Sequence, residues 1–278
     1  MKTLGKLTIV GTPIGNLGDL SPRALQALSD CDFIAAEDTR VTVKILNRFG
    51  IKKPMVSYYE HNRFEKGELI AQRIAGGENC ALVTDAGMPA ISDPGEDLVR
   101  LCRERGIPVE AVPGPCAFTT ALAMSGMPSG RFTFEGFLSM NKLKRREHLG
   151  SLADERRTMV FYEAPHKLPY TLKDLCETFG DRKITIAREL TKIHEEVILT
   201  TLGEAAARFE NETPKGEIVL IVEGKPAPEE KTQTLGDAVQ TAAGLMAGGL
   251  SASEAAKQAA KRAGLKKGDI YKALQKED

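Results

Sequence analysis

Short apolar runs recur through the first 112 positions, each followed by a break and then by a stretch with helical spacing. Leu7-Thr8-Ile9-Val10, Phe33-Ile34-Ala35-Ala36, Met55-Val56-Ser57, Ala81-Leu82-Val83-Thr84 and Val109-Glu110-Ala111-Val112 predict five strands. Ser21-Pro22 is an N-cap and first-turn pair, so a helix follows through Leu28. A second runs from about Thr39 to Phe49 and is closed by Gly50; a third covers Asn62 to Ile74 and stops at Gly76-Gly77. A fourth is expected to be capped by Asp93-Pro94 and ended by Gly106. Strands alternating with helices of this length mean a parallel α/β layer. In such layers ligands bind beyond the carboxyl ends of the strands. Three loops lie there, at 11–18, 85–95 and 113–117, all rich in Gly and Pro, so that backbone can approach a ligand. One such loop reads as a tight turn; three predict a shared pocket.

The second half has another rhythm. Strands are expected at Phe132–Phe134, Thr158–Tyr162, Ile184–Arg188, Glu196–Thr201 and Glu217–Val222, with helices near 142–154, 166–179 and 203–212. Three of these strands follow one another with few long crossovers, which predicts a mixed sheet. Lys225-Pro226-Ala227-Pro228-Glu229-Glu230 reads as a linker to an Ala-rich helical tail. Within the tail, Ser251–Ala263, a break at Gly264 and Lys267–Leu274 resemble a helix-turn-helix pair. The expected organisation is an N-terminal α/β domain over 1–113, a second α/β domain over 114–225, and a linker with helical tail over 226–278.

A chain of 278 residues suffices for such an arrangement. No apolar run approaches the length that spans a bilayer, and Met1–Lys6 leads straight into a strand without a signal-peptide core, so a cytoplasmic location is expected. The five cysteines are scattered, which argues against a disulfide framework or a cysteine zinc site. His194-Glu195-Glu196 begins like a zinc-protease motif, but Ile198 stands where its second His belongs, and no metal is expected. Lys+Arg and Asp+Glu are both 38, which counts against a uniformly basic nucleic-acid binder. Locally, 141–157 holds six bases against three acids and 251–278 seven against four; taken alone, these are solvated helix faces.

The first loop, with glycines at 11, 15 and 18, is neither a dinucleotide fingerprint nor a P-loop. Residue chemistry alone therefore reaches an α/β enzyme with a backbone-lined pocket between two domains. The order and spacing of three motifs go further. Gly11-Thr12-Pro13-Ile14-Gly15-Asn16-Leu17-Gly18-Asp19-Leu20, Thr84-Asp85-Ala86-Gly87-Met88-Pro89 with Ser92-Asp93-Pro94-Gly95, and Val112-Pro113-Gly114-Pro115-Cys116-Ala117 resemble the tetrapyrrole methylase superfamily over roughly residues 4–223. Glu37-Asp38-Thr39-Arg40, Tyr59-Glu60-His61-Asn62, Phe161–Lys167, Ala187–Lys192 and Pro214–Glu217 are similar to one branch of it, whose members methylate the ribose 2′-oxygen of a decoding-centre cytidine in 16S ribosomal RNA.

The resemblance implies S-adenosylmethionine (AdoMet) bound between two α/β domains, largely by backbone. Pro13, Asp85, Ala86, Gly87, Met88, Cys116, Ala117, Tyr162 and Gly216 are its implied cofactor contacts. A ribose hydroxyl is a poor nucleophile, so a base or a stabiliser of the alkoxide helps. Glu163, His166, Arg188, Glu189 and Lys192 are the candidates. Structural readings stand beside these roles: a Glu163–Arg188 ion pair, His166 capping a helix, and Glu189 paired with Lys192. Lys142, Lys144, Arg145 and Arg146, with Asn16, Arg40, His61 and Asn62, are the candidates for RNA contact. Equally, Glu37, Asp38 and Arg40 could cap the helix near Thr39, Tyr59 could pack on the domain, and Cys116 could be a packing residue. The basic tail, with Lys257, Lys261, Arg262, Lys266 and Lys267, is an accessory RNA candidate. The implied partner is 16S rRNA in the small ribosomal subunit, and the implied assembly a homodimer. A tetrapyrrole or precorrin C-methyltransferase and a non-catalytic ribosome-assembly protein remain the alternatives.

Overall fold

The computed structural model describes residues 3–212, 214–227 and 234–275. The chain forms two compact units, residues 1–225 and 226–278. In the first unit, β1 (Leu7–Val10), β2 (Phe33–Ala36), β3 (Met55–Ser57), β4 (Cys80–Val83) and β5 (Val109–Val112) make a wholly parallel sheet in the order β3-β2-β4-β1-β5. Its inner strands β2 and β4 are continuous buried apolar runs because both faces are covered, whereas the edge strand β5 exposes Glu110 and Ala111. Phe33, Ala35, Cys80 and Leu82 join Ile70, Ile74, Leu98 and Cys102 in one core; Ile34, Ala36, Ala81 and Val83 join Leu28 and Leu46 in the other.

The helices of this half are α1 (Pro22–Asp30), α2 (Thr39–Arg48), α3 (Arg63–Ala75) and α4 (Glu96–Glu104). Ser21 caps α1 by accepting from the Ala24 N–H, and Asp38 caps α2 by accepting from that of Arg40. The expected cap at Asp93-Pro94 is not formed. Helix α4 starts after Gly95, at φ +145, with no side-chain cap, and Asp93 faces a cavity.

A helix absent from the expected pattern, α5 (Ala117–Ser125), follows. Its residues are apolar nearly all round, and Ala121 and Leu122 are buried with Val160, Ala187, Val219 and Ile221 of the second sheet. Its exposed positions include Ala123 and Met124, so the open face is not polar and no amphipathic stripe announces the helix. The second sheet comprises β6 (Phe132–Phe137), β7 (Thr158–Glu163), β8 (Lys183–Arg188), β9 (Glu196–Thr201) and β10 (Ile218–Val222), in the order β6-β7-β10-β8-β9. Only the β6–β7 pair is parallel, so the sheet is mixed. Its other face packs against α6 (Lys142–Ser151), α7 (Leu168–Phe179) and α8 (Leu202–Phe209) through Leu149, Leu172, Leu175 and Phe209.

The second unit contains α9 (Leu235–Ala247), α10 (Ala252–Ala263) and α11 (Lys267–Leu274). Thr234 and Asp237 form a capping box on α9, and Ser251 caps α10. Ala238, Ala242, Ala255, Ala256, Ala259 and Ile270 fill its core. Of the expected linker, residues 228–230 lie outside the described residues. Among the described residues no helix is long and apolar enough to cross a membrane, and no cluster of three or more His, Cys, Asp or Glu is placed to hold a metal ion.

Candidate active site

The three Gly/Pro-rich loops follow β1, β4 and β5, which are neighbours in the sheet. They are stitched together by backbone. The Thr12 N–H donates to Gly87 O at 2.9 Å, the Gly87 N–H returns to Thr12 O at 3.1 Å, and the Thr12 hydroxyl donates to Thr84 O at 3.0 Å. Gly11 and Gly114 cross so closely that a Cβ on either would meet the other's Cα at 2.7 Å. Only glycine at both positions lets the first and third loops touch.

Against these loops stand Tyr162 and Glu163 from the end of β7, Leu190 after β8, and Ile218 and Val219 of β10. They enclose a cavity of about 370 Å³, within the range of small-molecule sites. Ile14, Met88, Ile91, Leu190 and Val219 supply apolar surface. Glu37, Asp85, Asp93, Glu163 and Glu217 supply carboxylates, and among the described residues no Lys or Arg lines the wall.

The carboxylates differ in how they are held. Glu163 is saturated: it accepts from the Ala164 N–H at 2.8 Å, from the Thr171 hydroxyl, and from Lys167 Nζ at 2.9 Å. The Asp85 side chain accepts from the Asp38 N–H at 3.2 Å, and Glu37 accepts from the Asp85 N–H at 3.3 Å. Burial raises both carboxyls above their ordinary range despite those bonds. Asp93 accepts no hydrogen bond within the described residues. Burial, with the nearby charges of Glu37 and Asp85, pushes its carboxyl up to about 7. The residues Ala90 (φ +67) and Ser92 (φ +61) just before it adopt left-handed backbone, at a cost of roughly 1–3 kcal/mol each. The Tyr162 hydroxyl accepts from the Phe118 N–H at 3.3 Å, and burial raises its pKa.

Of the expected cofactor contacts, Asp85, Ala86, Gly87, Met88, Cys116, Ala117 and Tyr162 line the cavity. Pro13 and Gly216 do not. Pro13 is buried beside the lining Ile14, and Gly216 (φ +95) presses on the Glu189 side chain. Ile14, Glu37, Asp93, Leu190 and Glu217 line the wall besides the expected cofactor contacts. Ile14 and Asp93 lie in two of the loops expected to form the pocket, and Glu37 directly follows a strand; Leu190 and Glu217 had no such positional signal.

Of the expected catalytic residues, only Glu163 lines the cavity. It is not paired with Arg188, which instead grips Glu196 at 3.0 Å and Lys215 O at 3.0 Å. Lys192 pairs with Glu189 at 2.8 Å and with the lining Glu217 at 3.2 Å, so the structural reading of that pair holds. His166 is exposed beside the lining Pro165, makes no hydrogen bond within the described residues, and caps no helix.

The expected RNA contacts lie outside the cavity, and several are engaged. Arg145 is a structural cation: it is 11% exposed and bound to the buried Asp174 at 2.6 Å. Arg146 shares Asp174 and also takes Glu177. Lys142 and Lys144 are exposed and form no ion pair within the described residues. Asn16 caps the short 3-10 turn Leu17–Asp19, and Asn62 bonds Ser57 O and the Tyr59 N–H. Arg40 is exposed but held by the capping Asp38, and His61 is exposed with its ring edge-on to exposed Tyr59.

Residues 6–206 match the family model of the tetrapyrrole (corrin/porphyrin) methylases. The chain is 45% identical over 273 residues to ribosomal RNA small subunit methyltransferase I of Synechocystis, covering 97% of each chain. It is 49% identical over 222 residues to the protein of that name from Thermotoga maritima, covering 80% of this chain and all of the relative. Its fold is shared with a uroporphyrin-III C-methyl transferase from Thermus thermophilus solved with S-adenyl homocysteine, at TM-score 0.55 and 19% identity, over 78% of this chain and 97% of that one. With family model and full-length relatives in agreement, the chain belongs to the tetrapyrrole methylases and, within them, to the ribosomal RNA small subunit methyltransferase I family of AdoMet-dependent methyltransferases.

Proposed function

We propose that this chain transfers the AdoMet methyl group to the ribose 2′-oxygen of a decoding-centre cytidine in the 16S rRNA of the small ribosomal subunit. One observation carries the cofactor assignment: the carboxylates of Glu37, Asp85 and Asp93 stand with no Lys or Arg ion-pair partner among the described residues, in a wall otherwise rich in apolar side chains. A ligand with cationic groups on an apolar body complements that wall. AdoMet is such a ligand, with a sulfonium and an ammonium on an adenosyl frame. When bound it supplies a methyl group on a good leaving group; the chain supplies position and electrostatics.

Asp85–Met88, Cys116 and Ala117 hold the cofactor from one side and Tyr162 from the other. Asp93, Glu37 and Asp85 form the anionic face. Pro13 and Gly216 act from behind, by backing Ile14 and seating Glu189. Lys192 anchors Glu217 at the wall, and Arg188 fixes the backbone at Lys215. Glu163, Arg188, Glu189 and Lys192 are each bound to protein partners. His166 is free and next to the wall, so it takes the proton of the hydroxyl. His166→Ala lowers kcat by about 10²–10⁴ at saturating AdoMet and RNA and leaves AdoMet affinity unchanged; unaltered kcat would remove His166 from the mechanism. RNA contact falls to Lys142, Lys144, Arg146, Arg40 and His61. The working form is a homodimer in the cytoplasm.

The deciding experiment incubates purified small subunits lacking the modification with radiolabelled AdoMet and identifies the labelled nucleoside. Label on a cytidine ribose supports the reading. No label, from a protein that binds AdoMet, redirects it to a tetrapyrrole acceptor.

A further inference from the structure

Strand β6 lies at the edge of the second sheet and is bulged. Its pairing with β7 runs Phe132↔Thr158, Thr133↔Met159 and Phe134↔Val160, then resumes one residue late at Gly136↔Phe161 and Phe137↔Tyr162. Gly136 has φ +63, and a Cβ there would stand 3.3 Å from Ser92 Oγ. Side chains alternate along a strand, so in unbroken register Phe137 would face away from Phe132 and Phe134, toward the core of Met159 and Phe161's neighbours. The extra residue returns it to the face of Phe134 and Tyr162.

There the two phenylalanines part. Phe134 stacks on Phe118 at 4.4 Å between centroids and meets the Tyr162 ring edge-on at 5.1 Å. Phe137 is carried past them to the cavity wall, 5.3 Å from the Tyr162 ring, and is 56% exposed. Lys167 Nζ lies 5.7 Å from its centroid. A bulge that turns a phenylalanine out of a core and leaves most of it in solvent does not serve packing; bulges beside active sites re-aim side chains.

We propose that Phe137 is the platform on which the target nucleobase stacks while its ribose is presented to the cavity. The proposal rests on the RNA-methylation reading. A ribose inside folded RNA reaches a recessed cofactor only if its nucleotide leaves the stack, and the lost stacking is replaced by an aromatic face. The ring stands at the cavity wall with free surface, and the unpaired Lys142 and Lys144 follow it on the next helix, where phosphates can be held.

The test measures methylation of small-subunit RNA and AdoMet affinity for the wild type, Phe137→Ala, Phe137→Leu and Phe137→Trp. Both Phe137→Ala and Phe137→Leu are expected to lose about ten- to a hundredfold in kcat/KM for RNA, with AdoMet affinity unchanged. Phe137→Trp keeps activity within a few-fold. The chain has no Trp, so its emission reports the ring alone, and quenching is expected with RNA carrying the target base but not with RNA abasic there. Parallel loss of AdoMet affinity would give the ring to the cofactor, a change in sedimenting mass would give it to a second copy, and full activity in Phe137→Leu would deny it a stacking role. Each overturns the proposal. Absence of RNA methylation by the wild type would instead overturn the reading beneath it.

Discussion

Asp93 stands in the cavity wall just after two residues in left-handed backbone, Ala90 and Ser92. Followed by a proline ahead of a helix, it resembles an N-cap; in the fold it is an unbonded carboxylate turned into the cavity. Its raised pKa has a definite sign for stability. The folded chain holds the proton more tightly than the unfolded one, so this group's contribution weakens as pH rises from about 4 through about 7. Asp93→Asn is therefore expected to raise the melting temperature of the ligand-free protein at pH 8 by about 2–4 °C. The same change weakens AdoMet binding at pH 8, where a charge partner is lost, and makes binding less sensitive to pH between 6 and 8. Calorimetry across that range checks both; equal affinity in the two proteins would show that the cofactor does not meet this carboxylate.

At the scale of elements, the first sheet was legible because burial on both faces leaves its inner strands as apolar runs bounded by breaks, and the edge strands β3 and β5 are short runs bounded by breaks too. The loops were legible because their Gly and Pro content is local. Helix α5 was not, since its exposed positions include Ala123 and Met124, so it has no polar stripe and is indistinguishable in pattern from other apolar sequence. The basic cluster at 142–146 split for a related reason: Arg145 and Arg146 clamp α6 onto α7 through Asp174, a partner 28 residues away from the nearer of them. The loop crossing makes a prediction of its own. Gly114→Ala places a methyl group against Gly11 backbone, so it is expected to cost about 1–3 kcal/mol by urea denaturation and to lower AdoMet affinity by more than tenfold. A variant of wild-type stability and affinity would mean that the first and third loops do not need their close contact.

At the scale of the molecule, the second unit has its own alanine-rich core and is separate in sequence from the Gly/Pro-rich loops of the cavity. The Thermotoga maritima relative is spanned entirely by 222 aligned residues, about the length of the first unit. Removing residues 226–278 is thus expected to leave folding and AdoMet affinity intact. We propose that it weakens RNA binding several-fold, because Lys257, Lys261, Arg262 and Lys266 are exposed and form no ion pair within the described residues. Filter binding at two salt concentrations tests this: a lower affinity with a shallower salt dependence is expected, and unchanged affinity would assign the basic face to solvation alone.

The amino-acid sequence by itself determined the alternating architecture, the mixed second sheet, the three cavity-lining loops and, through their motifs, the family. These rest on periodicity, breakers and contiguous patterns, which are local. Only the tertiary structure decided which side chains share the cavity. Glu37, Asp93, Leu190 and Glu217 come from separate connections, and Phe137 reaches the wall through a one-residue bulge. Their meeting depends on strand order, register and the crossing of two glycines. These are properties of long-range packing, which no window of sequence contains.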